Sequence, residues 1–179
     1  LDEHGLVYVP LSVISPGLNN QLALRSRLGL RNSAHSLVKM LDPFKGDGLL
    51  LAAATHPDYI DTMREVLSAL GAHALLLRGT EGEAVASPSR EPASQGVIAG
   101  QTVFTRTALR GEAEPDAAAQ KLTAQQTAEL TEQILSGQRP IPAPIAVQVQ
   151  QIKALHTAMA SPSPQNTAAL LAFNRSEED

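Results

Sequence analysis

A chain of 179 residues, 43% hydrophobic and 18% charged, is ordinary globular material of one domain to one and a half, not a disordered tail. It has no Cys, which excludes a disulfide framework, a thiolate nucleophile and any Cys-ligated zinc or iron–sulfur centre. The net charge of −4 is uneven: residues 1–110 balance 10 Lys/Arg with 10 Asp/Glu, residues 111–179 hold 4 against 8, and within Ser15–Lys45 only Asp42 opposes Arg25, Arg27, Arg31, Lys39 and Lys45.

Taken in chain order, Gly5–Ile14 is rich in β-branched residues and predicts a strand that Pro10 limits. Ser15 and Pro16 supply an N-cap and a first-turn proline for a helix with Leu18, Leu22, Leu24 and Leu28 on one face, stopped at Gly29. A second short helix is expected from Asn32 to about Met40, ended by Asp42-Pro43. The run Leu49–Ala54 is the longest apolar stretch, far short of a bilayer span, and glycines before it and Pro57 after it hold it to strand length. Pro57 opens a helix through Leu70 with Ile60, Met63, Val66, Leu67 and Leu70 on one face, and Gly71 ends it. Ala74–Leu77 reads as the next strand, which makes a βαβ unit and implies a parallel sheet.

The Arg78-Gly-Thr-Glu-Gly-Glu83 loop leaves that strand, where open α/β sheets bind ligands. Val97–Ile98 and Gln101–Thr107 suggest a hairpin around Gly100. Arg110–Gln120 is acidic and Ala-rich, a surface connection. Thr123 caps a helix to Ser136 with Thr127, Leu130, Ile134 and Leu135 inward. Pro140, Pro142 and Pro144 form an extended joint. Helices at Ile145–Met159, with Val149, Ile152, Leu155 and His156 on the apolar stripe, and at Gln165–Phe173 complete the chain before a charged tail. The expected division is an α/β sheet core over 1–110 and a C-terminal helical segment over 111–179 packing on the same domain. The opening Leu-Asp-Glu-His-Gly is neither an initiator nor a signal peptide, so the expectation is a cytoplasmic protein of which this is a fragment.

Chemistry-bearing residues are sparse. The Gly-rich loop at Gly79–Gly82 is neither a phosphate-binding P-loop nor a dinucleotide fingerprint, and reads as an anion-cradling turn or as a plain turn. The 5 His have no metal-ligand spacing and no Gly-x-Ser-x-Gly elbow is present, so neither a metal site nor a catalytic group is assigned. Arg25, Arg27 and Arg31 straddle a helix end, where they complement the helix dipole or fork onto a phosphate or carboxylate.

The run from Ser15 to Leu37, with Leu24-Arg25-Ser-Arg27-Leu-Gly29-Leu-Arg31 at its centre and Asp42-Pro43 beyond it, resembles a signature segment of the anthranilate phosphoribosyltransferases. The order of Leu49–Gly82 and the later helices follow that family over nearly the whole chain. The resemblance implies an α/β catalytic domain of the nucleoside phosphorylase/phosphoribosyltransferase type, mostly parallel, with C-terminal helices. It also implies a homodimeric full-length protein, and Arg25 in the place of the arginine that contacts anthranilate. The family's magnesium-binding Asp-Glu pair falls on Ala84 and Val85, which cannot ligate a cation. The family's Gly-Thr-Gly-Gly diphosphate loop is not in this chain.

That departure directs the resemblance to the YbiB-like branch, which keeps the fold and is associated with nucleic-acid binding. The reading implied is non-specific binding of nucleic acid through phosphate contacts from Arg25, Arg27, Arg31, Lys39, Lys45, Arg78, Gly79, Thr80 and Gly82, with no cofactor and no membrane. One alternative is a Mg²⁺-dependent transferase moving phosphoribose from phosphoribosyl pyrophosphate to an aromatic amine. The other is a non-catalytic structural subunit.

Overall fold

Pro10 decides the first local structure. Its φ of −61° suits a helix entrance, and its carbonyl accepts from Val13 N at 2.9 Å, so α1 (Leu11–Ile14) is a helical turn where a strand was expected. The computed structural model describes residues 5, 7–44, 48–79, 84–110 and 122–174. They fall in two compact units, Leu1–Lys45 and Gly46–Asp179, so the C-terminal helices share a unit with the sheet.

In the first unit, α2 (Pro16–Leu28) starts on Pro16 as expected, although the Ser15 side chain makes no cap bond. Gly29 ends it in the left-handed conformation at φ 70°, its N–H donating to Arg25 O at 2.9 Å. Then α3 (Ala34–Leu37) tightens into a 3-10 turn at Val38–Met40. The expected apolar face of α2 is not a core face: the helix buries none of its residues, and Leu24 and Leu28 are exposed.

In the second unit, β1 (Leu49–Ala54) and β2 (His73–Arg78) are parallel and joined by α4 (Pro57–Ala69), the βαβ unit read from the sequence. The sheet is not mostly parallel, however. Its order is β1-β2-β4-β5, with β4 (Ser94–Ile98) antiparallel to β2 and β5 (Gln101–Arg106) antiparallel to β4. A parallel neighbour needs a crossover of a dozen or more residues, usually helical. After β2 the chain instead loops back, and then turns through Ala99 (φ 47°) and Gly100 (φ 76°), the positive pair that suits a two-residue hairpin. Between β2 and β4 the excursion contributes β3 (Arg90–Glu91), which pairs antiparallel with β6 (Leu109–Arg110) in a separate ribbon.

One face of the sheet buries Ala53, Leu75, Leu77 and Phe104 against Leu155, Ala158 and Leu170. Those last three lie on α6 (Ala143–Ala160) and α7 (Pro164–Leu171). Ala74 and Leu76 alternate to the other face, on the side of α4, whose Ile60, Met63 and Leu67 are buried.

Two helix faces differ from their periodicity. α5 (Ala124–Leu135) has the expected Thr123 cap, a complete capping box with Gln126, but it buries no residue. Thr127 is exposed and Leu135 is 82% exposed; with Ala124, Ala128 and Thr131 they line an open groove on that helix. In α6 the buried stripe is Gln148, Gln151, Leu155 and Ala158, while Val149 and His156 are exposed. Two glutamines displace the apolar pair because the groups they meet in the core are polar. Among the described residues no helix is long and apolar enough to cross a membrane.

Candidate functional site

Arg25 and Arg27 occupy the last turn of α2, where helix propensity is high and the carbonyl end of the dipole favours cations. Both are exposed, as is Arg31 beyond the Gly29 turn. Asn32 fastens the exit: its Nδ2 donates to Gln21 O at 2.8 Å and its Oδ1 accepts from Ala34 N at 3.0 Å. The backbone N of Asn32 donates to His35 Nδ1 at 3.3 Å. Arg31 therefore leaves from a turn pinned to the side of α2.

Lys39, on the 3-10 turn, is half-buried. Its ammonium is held below its ordinary value first by burial and then by the Arg31 guanidinium. Two cations of this unit thus lie within electrostatic reach of each other. An anion placed there offsets their mutual repulsion.

In the second unit Arg78 ends β2 with its side chain exposed and its backbone N–H bonded to Ala93 O at 2.9 Å. Gly79 follows, its N–H shared between Ala54 O and Leu77 O, each at 3.1 Å. Lys45, Thr80 and Gly82 lie outside the described residues, as does Glu83.

The return limb is fixed from α6. Gln148 Nε2 donates to Ala84 O at 2.8 Å while its Oε1 accepts from Ala86 N at 2.8 Å, and Gln151 Nε2 donates to Ser94 Oγ at 3.0 Å. Gln148 thereby pairs with the loop as a neighbouring strand's peptide group would, satisfying buried backbone in an element without a ladder. Farther along, the Arg106 guanidinium donates to the Glu91 carboxylate, and both side chains are mostly buried.

The resemblance implied a metal–diphosphate site at Ala84–Val85, and the residues present do not fit one. Neither side chain has a donor atom, the Ala84 carbonyl is taken by Gln148, and Val85 is exposed. Among the described residues no group of three His, Cys, Asp or Glu converges on a cation position.

Sequence reading missed Gln148 and Gln151, although with Leu155 and Ala158 they follow a three-and-four-residue spacing that marks one helix face. It also missed the Glu91–Arg106 ion pair, whose partners lie on separate strands that only the fold brings together.

No protein-family model matches the chain. It is 37% identical over 150 residues to the uncharacterised protein YbiB of Escherichia coli (strain K12), over 83% of this chain and 47% of that protein. The chain thus spans about half the length of the curated relative it matches.

Proposed function

We propose that this chain carries a phosphate-contacting surface that binds nucleic acid non-specifically on a phosphoribosyltransferase-like scaffold. The observation that carries the reading is the exposure of Arg25, Arg27 and Arg31 around one helix end, with the Arg31 charge bearing on Lys39 in the same unit. Guanidinium groups fork onto phosphate oxygens, and cations held close enough to repel gain most from a shared polyanion. The resemblance to the YbiB-like branch supports the same reading. The aromatic content of 3% makes base stacking a minor term, so affinity comes from the backbone and is nearly sequence-independent.

The transferase alternative keeps Arg25 for an acceptor carboxylate, but Ala84 and Val85 leave its diphosphate without a metal clamp. No specific observation favours it. The test is a salt series of duplex DNA binding. Each phosphate contact contributes about 0.9 to the slope of log K against log salt. A flat response refutes nucleic-acid binding, and Mg²⁺-dependent diphosphate release with an aromatic amine establishes the alternative.

A further inference from the structure

β1 and β2 are the parallel pair of the sheet, and the chain leaves β1 through Thr55 and His56 to open α4 at Pro57. In open α/β sheets the crevice for a ligand lies beyond the carboxyl ends of such strands. Ala54 and Arg78 close the pair in register, and Gly79 N donates to Ala54 O at 3.1 Å. The exits of the two strands therefore lie side by side. Arg78 alternates in step with Ala74 and Leu76, so it stands on the face that α4 covers. It is exposed, and among the described residues no carboxylate forms an ion pair with it.

Two rings stand at the same exit. The His56 imidazole and the Tyr59 ring meet edge to face, with centroids 6.1 Å apart and planes at 78°. Asp58 Oδ2 lies 3.6 Å from His56 Nδ1 on the same turn. Tyr59 is 56% exposed, while Ile60, Met63 and Leu67 of its helix are buried. Core packing thus leaves this tyrosine out, whereas Phe104 is buried and pairs with Phe173 at 5.5 Å. A tyrosine this exposed, with one ring beside it, keeps a π-face for a second ring. Across one strand spacing of about 5 Å and two residues of about 3.3 Å each, the Arg78 and His56 backbones are within roughly 12 Å of each other.

We propose that His56, Tyr59 and Arg78 form a nucleotide subsite, with a base stacked on the Tyr59 ring and its phosphate on the Arg78 guanidinium. Duplex bases are already stacked on one another, so the subsite takes an unpaired base. This deepens the proposed function, and the polymeric form of the ligand rests on that reading. A free nucleoside monophosphate presents the same ring and charge, and for that ligand the subsite stands without it.

The 179-residue chain holds 2 Tyr and no Trp, so its emission reports directly on tyrosine. The probes are thymidine monophosphate, a labelled oligothymidine and a duplex of the same length, with emission corrected for probe absorption. The variants are Tyr59→Ala, Tyr59→Phe, Tyr8→Phe, Arg78→Ala and Arg139→Ala, each checked for native circular dichroism. The monophosphate and the oligothymidine quench the parent's emission, Tyr8→Phe keeps that quench, and Tyr59→Phe loses it. Tyr59→Ala weakens oligothymidine binding about tenfold with its salt slope and duplex affinity kept, while Tyr59→Phe binds within about twofold of the parent because phenylalanine also stacks. Arg78→Ala lowers the oligothymidine salt slope by about 0.7. Arg139→Ala, exposed elsewhere in the same unit, keeps the slope.

Quenching by the monophosphate, with no oligonucleotide bound, supports the subsite while refuting nucleic-acid binding. Oligothymidine binding that Tyr59→Ala leaves unchanged overturns the subsite and leaves nucleic-acid binding standing. The proposal is also overturned if neither probe quenches the parent, or if Tyr59→Ala weakens the duplex as much as the single strand. A quench that persists in Tyr59→Phe overturns it even where Tyr59→Ala does not fold. An Arg139→Ala slope as low as that of Arg78→Ala overturns the phosphate contact.

Discussion

Replacing Gln148 by Met tests whether the α6–loop connection depends on hydrogen bonding or on packing. Methionine nearly conserves the volume and flexibility of glutamine, so the cavity contribution is small. What is lost is the pair of 2.8 Å bonds to Ala84 O and Ala86 N. Ala86 is buried, so its N–H loses its partner where water does not replace it, a cost of about 1–3 kcal/mol. The Ala84 carbonyl is half-exposed and adds up to about 1 kcal/mol. A total of about 1–4 kcal/mol lowers Tm by roughly 2–16 °C for a chain of this size. Thermal and urea unfolding at one protein concentration measure it. A Gln148→Met midpoint within about 1 °C of the parent refutes the reasoning.

Gln148→Glu sharpens the same prediction. Its carboxylate still accepts from Ala86 N but faces the Ala84 oxygen in a buried position, which raises its pKa relative to the unfolded chain. The unfolded chain then binds fewer protons over the window between the two values. Stability of Gln148→Glu relative to Gln148→Met therefore falls as pH rises through that window, and it recovers in acid, where the protonated group donates to Ala84 O.

Gly100 and Gly137 share a φ of 76°, but a Cβ at Gly100 meets Ser68 O at 2.4 Å and one at Gly137 meets nothing. Gly100→Ala is expected to cost at least about 1 kcal/mol more than Gly137→Ala in chemical denaturation, and equal costs refute the close approach. Arg31→Ala removes one of the two causes that depress Lys39, so the Lys39 amine titrates at higher pH by NMR. Between that depressed value and the unfolded value the unfolded chain binds more protons, so parent stability rises with pH there, and the rise is smaller in Arg31→Ala. An unchanged Lys39 titration refutes the coupling. Arg25→Ala and Arg27→Ala are each expected to lower the DNA-binding salt slope by about 0.9 with Tm changed little, since both side chains are exposed. Unaltered slopes remove them from the surface.

Punctuation was legible in the chain from local chemistry alone. Pro16, Pro57 and Thr123 start helices and Gly29, Gly71 and Gly137 follow their ends, because a proline φ, a capping hydroxyl and a left-handed glycine act within a few residues. The βαβ unit was legible for the same reason: Leu49–Ala54 and Ala74–Leu77 are apolar on both faces and separated by one helix length. The place of Arg25 and Arg27 at the end of α2 was legible too, since a helix stop at Gly29 needs no distant partner.

Tertiary structure alone decided the direction of the sheet beyond β2, which follows from how the chain returns after Gly79 rather than from any strand's composition. It also decided which face of α6 is buried. Gln148 and Gln151 displace Val149 and His156 because Ala86 and Ser94, some 60 positions earlier, present buried polar groups, and Ala84 a half-buried one, that apolar side chains do not satisfy. The opposition of Arg90 to Arg110 is of the same kind. Two residues twenty positions apart carry no mutual signal in the sequence, and a strand register sets their backbones opposite each other.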